Sequence, residues 1–145
     1  MMMKVLVNKV SSAEELELVF SIRQKVFVEE QQVSPEEEYD EFEAVSVHFL
    51  AKLNGTPAGT ARWRKTGQGY KLERFAVLKE FRGSGLGSAL MKALLSDLPA
   101  DASSVYLNAQ LDARKLYEKF GFRQEGEEFL EAGIRHYRMR LIPVY

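Results

Sequence analysis

The sequence contains no cysteine, which removes disulfides, thiolate metal sites and a cysteine nucleophile together. Histidine is nearly as scarce. Only His48 and His136 occur, and neither stands in a His-Glu-x-x-His pattern, so a zinc enzyme is not expected. A basic surplus is missing as well: 20 Lys plus Arg against 21 Asp plus Glu give a formal charge of −1. That leaves little with which to neutralise a phosphate backbone, and no nucleic-acid partner is expected. No run approaches the roughly eighteen apolar residues of a membrane span. The opening Met1-Met2-Met3-Lys4-Val5-Leu6-Val7 is too short and too quickly polar for a signal peptide. The expectation is a soluble cytoplasmic protein without a membrane partner. Internal repeats and low-complexity linkers are also lacking. With 145 residues and 46% hydrophobic content, the chain reads as one domain, 1–145, able to bury a core without staples.

Three of the ten glycines fall in one stretch, Glu80-Phe81-Arg82-Gly83-Ser84-Gly85-Leu86-Gly87-Ser88-Ala89-Leu90-Met91. An apolar run, Phe75-Ala76-Val77-Leu78, precedes it, and Leu86, Leu90, Leu94 and Leu98 recur at every fourth position from it onward. The order is therefore strand, glycine loop, helix. Gly83, Gly85 and Gly87 are predicted to take positive φ and turn several N–H groups one way, and the following helix adds its partial positive N-terminus to this anion cradle. Arg82 adds a full charge that can fork onto phosphate oxygens. A Walker loop is excluded because Gly87 is followed by Ser88 and not by lysine. A dinucleotide fingerprint is excluded because it needs glycine at 88 or 90, where Ser88 and Leu90 stand. What remains is Arg-x-x-Gly-x-Gly between a strand and a helix. The alternative is a glycine-rich turn with a solvated arginine.

Around this loop the chain alternates periods. Val5–Val7 reads as a strand, and Ser12 with Glu15 forms a capping box that opens an amphipathic helix over about 12–28, with Arg23 and Lys25 on its exposed ridge. From Glu29 to Glu43 the chain is acidic, interrupted by Ser34-Pro35, which suits a helix first turn. The acids form either a solvated face or a lip that attracts a cationic substrate. Val45–Leu53 alternates, Asn54-Gly55 supplies a hairpin turn, and Ala58–Arg64 and Tyr70–Leu78 complete a meander. A helix ending at Pro99 crosses over to a strand at Ser104–Ala109, which is therefore parallel to the strand before the loop. Ala113, Leu116, Tyr117 and Phe120 mark a helix closed by Gly121, and strands follow near Phe122–Phe129 and His136–Ile142. The order β-α-α-β-β-β-α-β-α-β-β predicts a mixed α/β (α+β) sheet with helices on both faces.

Three separated features, the Leu72–Leu78 strand, the Arg82–Gly87 loop and Leu116-Tyr117-Glu118-Lys119-Phe120-Gly121-Phe122, resemble the GNAT (Gcn5-related) N-acetyltransferases. The wider pattern is similar to the small bacterial YjcF-like and ElaA-like members. It rests on Val26-Phe27-Val28-Glu29-Glu30-Gln31, Gly59-Thr60-Ala61-Arg62-Trp63-Arg64, Leu72-Glu73-Arg74, Leu107-Asn108-Ala109-Gln110 and Gly133-Ile134-Arg135-His136.

The resemblance implies the GNAT acyl-CoA N-acyltransferase fold, direct transfer of an acetyl group from acetyl-CoA to an amine, and a homodimer. It implies that the two parallel strands splay and that backbone groups of Phe75, Ala76 and Val77 meet pantetheine, with an N–H near Val77 aimed at the developing oxyanion. The pyrophosphate falls on Arg82, Gly83, Ser84, Gly85, Leu86, Gly87 and Ser88, and no metal is required, because the helix terminus and the arginine offset the phosphate charge. Tyr117 is the implied general acid at the CoA thiolate; the alternative is a tyrosine on its helix's apolar stripe. Many GNATs place asparagine seven residues before that tyrosine. Here Gln110 holds the position and Asn108 lies two residues earlier, so either amide is a cofactor-binding candidate.

An amine of pKa about 10 must lose a proton before it attacks. Glu73 and His136 are the candidate bases, each with a structural alternative as an ion-pair or strand-surface residue. By period two, Glu73 is expected to share a face with Phe75 and Val77. Arg62, Trp63 and Arg74 are further pocket candidates, with core packing the alternative for Trp63. The acceptor expected from the acidic 36–43 stretch and Glu73 is a small cationic amine. A protein N-terminus or lysine, or a non-catalytic acetyl-CoA-binding module, are the other readings.

Overall fold

A computed structural model describes residues 3–142; Met1 and Met2, counted above against a signal peptide, and residues 143–145 lie outside the described residues. The elements follow in the predicted order: β1 (Val5–Lys9), α1 (Ala13–Arg23), α2 (Pro35–Glu38), β2 (Val47–Leu53), β3 (Thr56–Thr66), β4 (Gly69–Val77), α3 (Leu86–Asp97), β5 (Val105–Gln110), α4 (Arg114–Lys119), β6 (Phe122–Glu131) and β7 (Ile134–Leu141). The helix expected over 12–28 changes pitch within its length, since Gln24–Glu30 winds as a π-helical turn. Ser12 caps α1 by accepting from the Glu15 N–H at 3.2 Å, as the capping-box spacing requires. Among the described residues no helix is long and apolar enough to cross a membrane.

Seven strands among the described residues form one sheet in the order β1-β2-β3-β4-β5-β7-β6. The β4–β5 pair is parallel, as a helical crossover demands. On one face, Leu86, Leu90, Met91 and Leu94 of α3 bury against Leu72, Leu107 and Met139 of the sheet, with Tyr117 of α4 in the same cluster. On the other, Val19, Ile22, Val26 and Phe27 cover Leu50 and Ala76. Trp63, half-buried, packs against the first of these clusters and bonds Asp97 through its indole N–H at 2.9 Å.

The parallel pair is short. β4 and β5 are in register only at Tyr70↔Val105, Lys71↔Tyr106 and Leu72↔Leu107, and then separate. The closed end is held by the Tyr70 N–H on the Ser104 carbonyl at 2.8 Å. Gly69 makes this approach possible: its φ is +129°, and a Cβ there would lie 2.4 Å from the Ser104 carbonyl oxygen. Gly69→Ala is therefore expected to cost about 1–3 kcal/mol through overpacking and strain, read as a lowered denaturation midpoint.

β4 also carries a bulge. Arg62 faces Glu73 and Thr60 faces Ala76, so Arg74 and Phe75 together oppose Ala61 alone, and Arg74 has φ +59°. The extra residue breaks the period-two expectation. Glu73 shares its face with Ala76, under α1, whereas Leu72 and Val77 lie on the opposite face with α3.

Candidate active site

Where β5 leaves β4, a cleft of about 560 Å³ opens. The Leu78 N–H bonds the Ala58 carbonyl of the β2–β3 side at 2.9 Å. Because N–H directions alternate along a regular strand, Ala76 also points its N–H toward β3, while that of Val77 points into the cleft. The Ala76 N–H is thus turned toward β3, and Ala76 remains among the residues that line the cleft.

The glycine loop stands at one end of the opening. Gly83 and Gly85 have φ +84° and +83°, whereas Gly87 lies inside α3, where a Cβ would come within 3.1 Å of Leu116. Its role is close packing of α3 on α4 and not the positive φ expected from the motif. Gly85 is the helix N-cap and offers no side-chain bond. The first intrahelical bond runs from the Ala89 N–H to the Gly85 carbonyl. The N–H groups of Leu86, Gly87 and Ser88 are thus left without intrahelical partners. Beside them the Arg82 fork holds both oxygens of Glu30 at 2.7 Å, and its Nε donates to the Val77 carbonyl at 3.0 Å. Uncapped N–H groups, a positive helix end and an arginine already gripping a two-oxygen anion fit the pyrophosphate of CoA.

Tyr117 lines the same cleft, edge-on to Phe75 at 5.6 Å and to Phe122 at 6.5 Å between ring centroids. Burial, seconded by the charge of Asp112, pushes its phenol pKa above the ordinary value. His136 lines the far side. Its Nδ1 lies 2.7 Å from the Ile134 carbonyl, an acceptor only, so Nδ1 carries the hydrogen and Nε2 is the basic nitrogen of the neutral ring. Glu131 Oε2 lies 3.6 Å from Nε2, and Phe129 stacks on the ring at 5.8 Å.

Glu73 is placed differently. Burial pushes its carboxyl pKa up, but Arg62, Lys71 and Arg64 more than offset that and hold it below the usual range. Arg64 Nε and Arg62 Nη2 both donate to its Oε1. A carboxylate so engaged is a poor proton acceptor. The acidic stretch is occupied in the same way: Glu38, Asp40 and Glu43 are ion-paired with Arg23, Arg62 and Arg74. Of the two readings of these acids, the lip is largely replaced by a neutralised wall, because Arg23 turns inward, 1% exposed, from the ridge where helix periodicity put it. Arg62 is buried behind the cleft, while Arg74 lines it. Asn108 and Gln110 both reach the cleft: Asn108 bonds Glu131 at 3.3 Å, and Gln110 exchanges amide bonds with Gln31 at 2.9 and 3.4 Å.

Residues 8–143 match the family model described as an acetyltransferase (GNAT) domain. The chain belongs to the GNAT family. As a GNAT protein it is an acyltransferase, and the donor of that family is acetyl-CoA. It is 46% identical over 141 residues to the Bacillus subtilis (strain 168) protein named uncharacterized N-acetyltransferase YjcF, covering 94% of this chain and 98% of the relative. Among solved structures it is similar to an acyl-CoA N-acyltransferase from Pseudomonas aeruginosa, with TM-score 0.82, 28% identity and coverage of 97% and 100%. Escherichia coli ElaA gives TM-score 0.82, 26% identity and the same coverage. In this GNAT fold, Lys71 and Glu131 line the cleft without having been singled out by a motif, and Glu30 lines it from the Val26–Gln31 motif, which assigned it no role. Only Glu131 carried a usable signal, since a hairpin between β6 and β7 brings it beside the start of β7.

Proposed function

We propose that this protein transfers the acetyl group of acetyl-CoA directly to a primary amine of a small molecule. The observation that carries the reading is the opening of β4 from β5, with the Val77 N–H turned into it, between the uncapped α3 N-terminus and the side chains of Tyr117 and His136. The N–H groups of Leu86 to Ser88, and Arg82 once it exchanges Glu30 for phosphate, would hold the donor. Bound there, acetyl-CoA supplies a thioester-activated acyl group. His136 Nε2 takes the proton of the acceptor ammonium, and Glu131 stabilises the imidazolium that results. The Val77 N–H donates to oxygen as negative charge develops on it. Tyr117 keeps its proton at neutral pH and delivers it to the departing sulfur, and the second proton shed by the amine nitrogen as it becomes an amide returns to the phenolate. Glu73 serves in this reading as an anchor for cations and not as the base. The Gln31–Gln110 amide pair spans the cleft and favours a small acceptor over a peptide. The homodimer implied by the family resemblance belongs to the same proposal, and sedimentation equilibrium decides it.

Thiol release from acetyl-CoA in the presence of primary amines tests the reaction. Gly85→Val tests the donor site, because a β-branched residue at φ +83° distorts the loop. It is expected to weaken CoA binding by about tenfold or more, measured by calorimetry. Unchanged affinity would place the pyrophosphate elsewhere.

A further inference from the structure

We infer that the cleft wall formed by Arg64, Lys71 and Arg74 is a carboxylate site, so that the acceptor is an amine that also bears a carboxylate, as a small amino acid does. The inference rests on the N-acetyltransferase reading and names its acceptor class.

The wall belongs to one connected ion network. Its carboxylates are Glu38, Asp40, Glu43 and Glu73, and its cations are Arg23, Arg62, Arg64, Lys71 and Arg74. Five cations against four carboxylates leave one positive charge in excess. The location of the excess follows from the hydrogen bonds. Arg23 donates through Nε, Nη1 and Nη2, and Arg62 through both Nη groups, so the two buried guanidinium groups are committed inward. The three cations that line the cleft have donors to spare. Among the described residues, Arg64 bonds Glu73 through Nε alone, with its guanidinium stacked 3.9 Å over the Phe42 ring. Arg74 donates through Nη2 alone, to the Glu37 and Glu38 carbonyls and Asp40 at 3.4, 3.3 and 3.2 Å, while Lys71 Nζ and Arg74 Nη1 lie 3.6 and 4.0 Å from Glu73 Oε2, beyond hydrogen-bond reach.

Arg64 and Lys71 stand directly opposite each other on β3 and β4, on the face that Glu73 shares. All three cleft cations are largely shielded, with side chains 14%, 15% and 20% exposed. A net charge held in so little water is costly until an anion joins it. The depressed pKa of Glu73 agrees, because the field at this wall is positive enough to outweigh burial. One excess charge matches a monoanion, which favours a carboxylate over a phosphate dianion. Across the cleft, His136 and Glu131 present the complementary end to an ammonium. A zwitterion is matched at both ends; a polyamine would set a cation against Arg64, Lys71 and Arg74.

The test uses matched acceptors: leucine against 3-methylbutylamine, and lysine against 1,5-diaminopentane, with thiol release as readout. The carboxylated member of each pair is expected to show kcat/KM higher by about tenfold or more. Lys71→Gln and, separately, Arg64→Gln should collapse that preference toward unity, chiefly through KM. Equal or better turnover of the decarboxylated amines overturns the inference and leaves the acetyltransferase reading standing. A preference that survives both substitutions overturns this wall as its source. If no amine turns over, the acetyltransferase reading fails, and calorimetry on the CoA-saturated protein decides the site independently. N-acetyl-leucine binding that exceeds N-(3-methylbutyl)acetamide binding and weakens in Lys71→Gln supports it. Indistinguishable binding of the two overturns it.

Discussion

Arg62→Leu is expected to destabilise the protein by about 3–5 kcal/mol at neutral pH, because it removes one partner of a buried ion cluster and leaves the others charged. Arg62 is fully buried and donates to Asp40 at 2.7 and 3.2 Å, to Glu43 at 2.7 Å and to Glu73 at 3.1 Å. For a chain of this length the loss corresponds to a Tm lower by about 10–16 °C. The pH dependence identifies the cause. Burial raises the pKa values of Asp40, Glu43 and Glu73, but the arginines outweigh it and hold all three below their ordinary values. Groups depressed in the folded state contribute stability above their unfolded pKa of about 4, and lose it as pH falls through the folded values. The wild type therefore loses this contribution on acidification, and the variant has less of it to lose. Denaturation at pH 7 and at pH values stepped below about 4 should show a gap between the two that narrows in acid. Glu38, raised by burial, works in the opposite direction and blunts the trend without reversing it. A difference below about 1 kcal/mol at pH 7, the scale of surface pairs, would show that the cluster is solvated.

That cluster also explains why the two halves of the site differed in how readable they were. The donor half is local. A strand, two glycines at positive φ, an uncapped helix and an arginine lie within twenty consecutive residues, and rules that act over one turn of chain are enough to assemble them. Gly87 shows the limit even there, since its closeness to Leu116 depends on a helix thirty residues away. The acceptor half is built from contacts across the fold. Arg23 reads as an exposed ridge residue until the chain doubles back and brings Glu38 and Glu43 onto it. The acidic stretch reads as free charge until Arg62 and Arg74 arrive from the meander.

The face of Glu73 was legible only under the assumption of an unbroken period of two. The bulge at Arg74 defeats that assumption, and a non-glycine residue at φ +59° leaves no mark in the sequence. The same bulge separates Glu73 from the Phe75 and Val77 backbone. This is why the carboxylate on the strand is held among cations, while the histidine on β7, beyond the gap, presents a free nitrogen to the cleft.

Tyr117→Phe is expected to lower kcat by about 10²–10⁴-fold, the range for a positioned general acid, with CoA affinity changed no more than a few-fold. The ring contacts with Phe75 and Phe122 survive the substitution. The hydroxyl makes no hydrogen bond to the described residues, so the melting temperature should hold. This separates loss of a proton donor from loss of structure. If the phenol acts only as charge leaves on sulfur, kcat and kcat/KM fall together. A raised KM with intact kcat would instead mark a ground-state contact. The pH profile adds an independent constraint. Burial, with Asp112 nearby, raises the phenol pKa above its ordinary value of about 10, so Tyr117 remains protonated through neutral and mildly alkaline pH. Its ionisation should therefore produce no alkaline decline below about pH 10. A decline below that pH in the wild type, abolished by Tyr117→Phe, would mean that the hydroxyl ionises where the cleft should prevent it. The proton delivered to sulfur would then have to come from another group.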